Sequence, residues 1–99
     1  MLEKMNYEDL TKERKENDTN INNIKVGDHV ICWVDDCHLY IEYSMIVTSV
    51  NEDDFEEDDE GNKHVVAFGE GLTEDDKEFI EEIGTSRIDG SNFVCIVRR

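Results

Sequence analysis

The chain has 99 residues, 37% of them hydrophobic, and a formal net charge of −16 from 26 acids against 10 lysines and arginines. That length fits one domain with a modest core. The charge argues against direct binding to DNA, RNA or an anionic membrane, each of which would repel it.

In chain order, Asn6 is placed to cap a short helix over about residues 7–16, with Glu8 and Asp9 in its first turn. Its apolar content is thin, so it must dock on something, a second copy of the chain included. Residues 17–23 read as a polar linker, which divides the chain into an N-terminal segment, 1–23, and a single domain, 24–99. Ile24, Val26, Val30, Cys32 and Val34 alternate as one face of a strand, interrupted at Gly27-Asp28. Asp35 to His38 makes the turn into a second strand over about 39–50, whose inner face is Leu39, Ile41, Tyr43, Met45 and Val47. An acidic loop over 51–61 follows.

A third strand runs from Lys63 to Phe68 and stops at Gly69-Glu70-Gly71. Thr73 then caps a helix from Glu74 to about Ile83 that ends at Gly84, with Phe79, Ile80 and Ile83 as its buried stripe. Asn92 to Arg98 closes the domain as a strand apolar on both faces, hence central or covered. The expected fold is α+β: a small curved, mostly antiparallel sheet of four or five strands with one packed helix and a short N-terminal helix. The phrase Ile24-Lys-Val-Gly-Asp-His-Val-Ile resembles the opening strand of SH3-like small barrels.

Charge is concentrated. Residues 51–82 hold fifteen acids against Lys63 and Lys77. Eight of the nine residues from Glu52 to Glu60 are carboxylates: Glu52, Asp53, Asp54, Glu56, Glu57, Asp58, Asp59 and Glu60, broken by Phe55. Extended at roughly 3.3 Å per residue, the run carries one charge per about 3.7 Å, close to the roughly 3.4 Å between phosphates on one DNA strand. Glu70, Glu74, Asp75, Asp76, Glu78, Glu81 and Glu82 form a second cluster on and beside the helix. Packing like charge this densely works against folding, so solubility alone would need less of it. Phe55 is a candidate apolar anchor for a partner.

Other chemistry finds less support. His29, Cys32, Cys37 and His38 have a spacing faintly like a zinc site, but on a regular strand His29 and Cys32 point to opposite faces. Glu56, Asp58, Glu60 and Gly61 mimic the start of a calcium loop whose last position is Ala67 instead of the required Glu. Trp33, Tyr40 and Tyr43 would offer a stacking platform for single strands, which the net charge opposes. No serine lies in a nucleophile elbow and no carboxylate pair lies in a cleft of separated pKa values. The expectation is a protein that is not an enzyme and needs no cofactor or metal. Three cysteines and the lack of a long apolar run point to a reducing cytoplasm.

In size, acidity and lack of catalytic apparatus the chain resembles the small inhibitors of bacteriophages and mobile elements, the anti-CRISPR and anti-restriction proteins among them. The resemblance is one of class. It implies an inhibitory protein–protein interaction with a nucleic-acid-binding enzyme, a CRISPR effector nuclease for example, in which the acids imitate DNA phosphates in a basic groove. The residues that would meet the partner are Glu52–Glu60 with Phe55, and Glu74, Asp75, Asp76, Glu78, Glu81 and Glu82. The alternative is a small interaction or assembly module, working through its sheet or N-terminal helix, a homodimer included, whose acidic loop confers only solubility.

Overall fold

The computed structural model describes residues 4–5, 17–36, 39–57 and 63–98. The helix expected over 7–16 lies outside them, as do Cys37, His38 and Asp58–Asn62. Among the described residues six strands and one α-helix follow in order: β1 (Lys4–Met5), β2 (His29–Asp36), β3 (Leu39–Glu57), β4 (Lys63–Gly71), α1 (Glu74–Ile83), β5 (Arg87–Ile88) and β6 (Phe93–Ile96). They form one antiparallel sheet in the order β5-β4-β3-β2-β6, with β1 beside β3 at Tyr40 and Ile41. This is the small α+β fold expected from the pattern of strands and one capped helix.

The topology dictates the curvature. β5 and β6 are neighbours in sequence yet lie on opposite edges of the sheet. In a flat sheet, four strand spacings of about 4.8 Å would hold them about 19 Å apart. Residues 89–92 do not reach that far, because they fold into a turn in which Phe93 N–H donates to Asp89 C=O at 3.0 Å. The sheet therefore curls until its edges approach. The chain before β2 helps to join them. Asp18 pairs with Ile96 on the β6 edge, and Asn22 Oδ1 accepts from Val65 N–H of β4 at 3.0 Å. Residues 17–23 are thus not a linker: Ile21, in the 3₁₀ turn Ile21–Asn23, is 3% exposed and belongs to the core.

One face of the curled sheet makes the main core from Val30, Cys32, Tyr43, Met45, Val47, Ala67, Ile88, Phe93 and Ile96, with Ile21 and Ile24. Phe79, Ile80 and Ile83 of α1 pack against it, as the helical stripe predicts. The other face buries Ile31, Val94 and Cys95 beside Trp33, Tyr40 and Val97. β6 is buried at every position even though it is an edge strand and not a central one. Two expected inner positions differ. Val26 is 65% exposed because Gly27, at φ 92°, turns the chain and the strand begins only at His29. Leu39 sits at the hairpin end and is also exposed.

β3 differs most from its expected length, since it continues 19 residues to Glu57 and takes in much of the stretch read as a loop. Two irregularities make this possible. Thr48 is an extra residue between the pairs Val47↔Gly69 and Ser49↔Phe68, so the inward positions shift from Val47 to Val50. Glu52, Asp53 and Asp54 are then extra between Asn51↔Val66 and Phe55↔Val65, after which Glu56 and Glu57 pair with His64 and Lys63. Strict alternation fails at both places, which is why the run reads as loop in sequence.

Candidate functional site

The helix α1 begins with a reciprocal cap. Thr73 Oγ1 accepts from Asp76 N–H at 3.2 Å, while the Asp76 carboxylate accepts from Thr73 N–H at 3.1 Å and Thr73 O–H at 2.8 Å. The other Asp76 oxygen accepts from the backbone N–H of Ser44 on β3 at 3.0 Å. One carboxylate thus closes the helix N-terminus and ties it to the sheet. Asp76 is 4% exposed, the single buried charged residue among those described. Composition groups it with the partner-facing acids, but it does not belong there, because its oxygens point inward and are occupied. Gly71 allows the helix so close: a Cβ there would lie 2.5 Å from the Lys77 nitrogen and 2.8 Å from the Asp76 carbonyl carbon.

The remaining acids of α1 face out. At 100° per residue, Glu81, Glu74, Glu78, Glu82 and Asp75 fall within an arc of about 120°, opposite Asp76, Phe79, Ile80 and Ile83. All five are exposed. From Glu74 to Glu82 they climb about 12 Å of helix axis, a mean step of about 3 Å, similar to the roughly 3.4 Å phosphate step of one DNA strand. Glu74 and Asp75 also sit at the favourable positive end of the helix dipole. Lys77 flanks this ridge, and its Nζ lies 3.5 Å from Glu74 Oε1. Glu70, on β4 beside the helix, is exposed as well.

The first cluster is placed only in part. The backbone carries Glu52–Glu57 along β3 with Phe55 opposite Val65, while Asp58, Asp59 and Glu60 fall outside the described residues. The ridge on α1 is therefore the acidic surface whose geometry is defined. Comparison with family models, curated proteins and solved structures returns no match. The surface has to be interpreted from its own chemistry.

Of the zinc-like and aromatic candidates, His29, Cys32, Trp33, Tyr40 and Tyr43 lie among the described residues. Cys32 is wholly buried in the main core, where desolvation pushes its thiol far above the ordinary value, with Asp89 adding to the shift. A thiol so placed is held neutral, the wrong state for a metal ligand. Among the described residues no group of three His, Cys, Asp or Glu is placed to hold a metal ion. The aromatic platform does not assemble either. Tyr43 lies in the main core beside Phe79 (centroids 5.3 Å apart), whereas Trp33 and Tyr40 meet edge to face at 4.8 Å against the second cluster. Among the described residues no helix is long and apolar enough to cross a membrane.

Composition gave little sign of a polar clasp between β5 and β6. Asn92 Nδ2 donates to Tyr43 Oη at 3.1 Å and to Arg87 C=O at 2.8 Å, and Asn92 Oδ1 accepts from Asp89 N–H at 2.9 Å. The Asp89 carboxylate accepts from Ser91 N–H and O–H and from Arg87 Nε–H. Burial works to raise its pKa, but the Ser91 and Arg87 interactions prevail and hold it below the ordinary value. Desolvation raises the Tyr43 phenol, which keeps it neutral. The signal in sequence was Asp-Gly-Ser-Asn before an apolar strand, a turn in which Asx side chains bond nearby backbone. These groups satisfy one another, so the clasp is structural and holds the curl.

Proposed function

We propose that the protein inhibits a nucleic-acid-binding enzyme by offering carboxylates in place of phosphates to its basic groove, with CRISPR effector nucleases among the targets that fit. The observation carrying this reading is the α1 ridge: five exposed acids on one arc of a capped, sheet-anchored helix, at close to the axial spacing of phosphates. A rigid support matters because charges already held in place cost less entropy to bind than charges on a mobile tail. Arginines and lysines that otherwise hold DNA backbone would pair with Glu74, Asp75, Glu78, Glu81 and Glu82, and the run in β3 would add further negative field. Charge supplies a fast encounter, and affinity must come from shape and apolar contact.

The test is competition for DNA on a panel of host nucleases, CRISPR effectors included, at two salt concentrations. Loss of DNA binding that weakens as salt approaches a Debye length of about 8 Å supports the proposal. Neutralising either the ridge (Glu74→Gln, Asp75→Asn, Glu78→Gln) or the run (Glu56→Gln, Glu57→Gln, Asp58→Asn, Asp59→Asn) should then slow association. If the two variants inhibit as well as the parent at low salt, phosphate mimicry is wrong. Cleavage lost with DNA still bound would move the inhibited step downstream and remove the ridge from the mechanism. The second reading, an interaction module with solubilising acids, draws on Phe68 and Leu72, which remain 38% and 42% exposed on the folded chain. On that reading both neutralised variants keep full partner binding.

A further inference from the structure

We infer that the groove between α1 and β4 receives an arginine side chain of the protein partner; this deepens the inhibitory reading and rests on it. The groove, about 410 Å³ and open to solvent, is lined by Gly69, Glu70, Gly71, Lys77, Ile80 and Glu81. β4 contributes one carboxylate, Glu70, and α1 contributes the other, Glu81. Between them lie the half-buried Ile80 and the backbone of Gly69 and Gly71. Among the described residues neither Glu70 nor Glu81 takes an ion pair, while the ammonium of Lys77 is drawn to Glu74 at 3.5 Å.

An apolar floor between acidic walls of opposite origin matches a side chain with an apolar stem and a wide, planar cationic head. Arginine fits this description better than lysine. Its guanidinium presents donors on two edges and bonds carboxylates in a plane, and its weak hydration lowers the cost of entering the groove. Its methylenes would lie on Ile80. An anchor of this kind gives the partner interaction a fixed register, which a long ridge of equivalent acids lacks.

The experiment titrates ¹⁵N-labelled protein with a glycine-flanked peptide carrying one arginine, alongside lysine and citrulline counterparts. Amide shifts should concentrate on Gly69–Gly71 and Lys77–Glu81, with citrulline inactive and lysine clearly weaker. Glu70→Gln with Glu81→Gln should weaken the arginine peptide about tenfold, the sum of two partly screened pairs. Both positions are exposed, so that variant keeps its fold. Asp35→Asn, an exposed acid on β2 outside both the groove and the ridge, should leave the titration unchanged. Shifts spread evenly over Glu74, Glu78 and Glu82, equal binding of the lysine peptide, or no loss in the groove variant would each overturn the inference. Nuclease competition that succeeds while the titration fails removes the groove alone. A titration that succeeds while competition fails keeps the arginine site and removes the nuclease.

Discussion

Replacing Asp76 by Ala tests whether one carboxylate holds the helix on the sheet. The substitution leaves two backbone donors without their acceptor, Ser44 N–H and Thr73 N–H. An orphaned buried donor costs about 1–3 kcal/mol. Ser44 and Thr73 are not fully buried, so water compensates in part and about 1–1.5 kcal/mol each is the fitting end of that range. Losing a negative charge from the helix N-terminus adds about 0.5 kcal/mol, for a total near 3 kcal/mol. For a domain of this size, with a stability of about 5–15 kcal/mol, that is a large fraction, and at about 4–8 °C per kcal/mol the Tm should fall by roughly 15 °C. Asp76→Asn keeps one acceptor oxygen and should lose about half as much. Asp75→Ala, one residue away and exposed, should stay within about 0.5 kcal/mol of the parent. Urea unfolding followed by circular dichroism measures all three. If Asp76→Ala and Asp75→Ala unfold at the same denaturant concentration, the tether from α1 to Ser44 carries no stability and the argument from buried hydrogen bonds fails.

Two further outcomes follow from other contacts. Gly71→Ala puts a methyl 2.5 Å from the Lys77 nitrogen, so α1 must lift from β4 at a cost of about 2 kcal/mol; unfolding should shift by that amount, with faster amide exchange in the first turn of α1. Asp89→Asn should remove a pH dependence. The folded pKa of Asp89 lies below its ordinary 3.8, so its stabilisation is fully present above about pH 4 and is lost as pH falls through the depressed value. The stability gap between parent and variant should therefore close on acidification below pH 4, and a gap that widens there would show the sign to be wrong.

Much of the fold was legible where periodicity and capping are strong. Thr73, Gly84 and the Phe79-Ile80-Ile83 stripe give α1 the bounds it has, because each rests on local chemistry that the rest of the fold leaves unchanged. The β2–β3 hairpin register follows from alternation through Val30, Cys32, Tyr43 and Met45. What escaped depends on contacts remote in sequence. Ile21 lies among asparagines and looks like linker until Asp18 reaches Ile96, 78 positions along. β3 looks finished at Val50 because bulges at Thr48 and at 52–54 break its period. Asp76 shares its composition with its neighbours, and only the helical phase, 100° per residue, separates the inward carboxylate from those that face water. A cluster of acids read as one unit was two populations, one holding the helix and one facing outward.

The C-terminal half of α1 offers a way to decide what the outward population is for. Acids at the start of a helix are favoured by its dipole, but Glu81 and Glu82 lie in the last turn, where no basic residue is present. There the carbonyl ends repel them, by about 0.3–1 kcal/mol each. Glu82→Lys reverses that term and gives Glu78 an ammonium partner in the favourable i, i+4 order. Stability should rise by about 1 kcal/mol, or about 5 °C in Tm. A solubilising surface loses nothing by this exchange, since the chain stays strongly acidic. A phosphate surrogate loses a matched charge and gains a mismatched one, and like charges facing across an interface are costly. The variant should therefore be more stable and a weaker competitor of DNA, by at least tenfold at low salt if the lost pairing is worth about 1.4 kcal/mol. A variant that gains stability and keeps full competition would mean that these carboxylates do not touch the partner, and the ridge would then have no function beyond keeping the chain in solution.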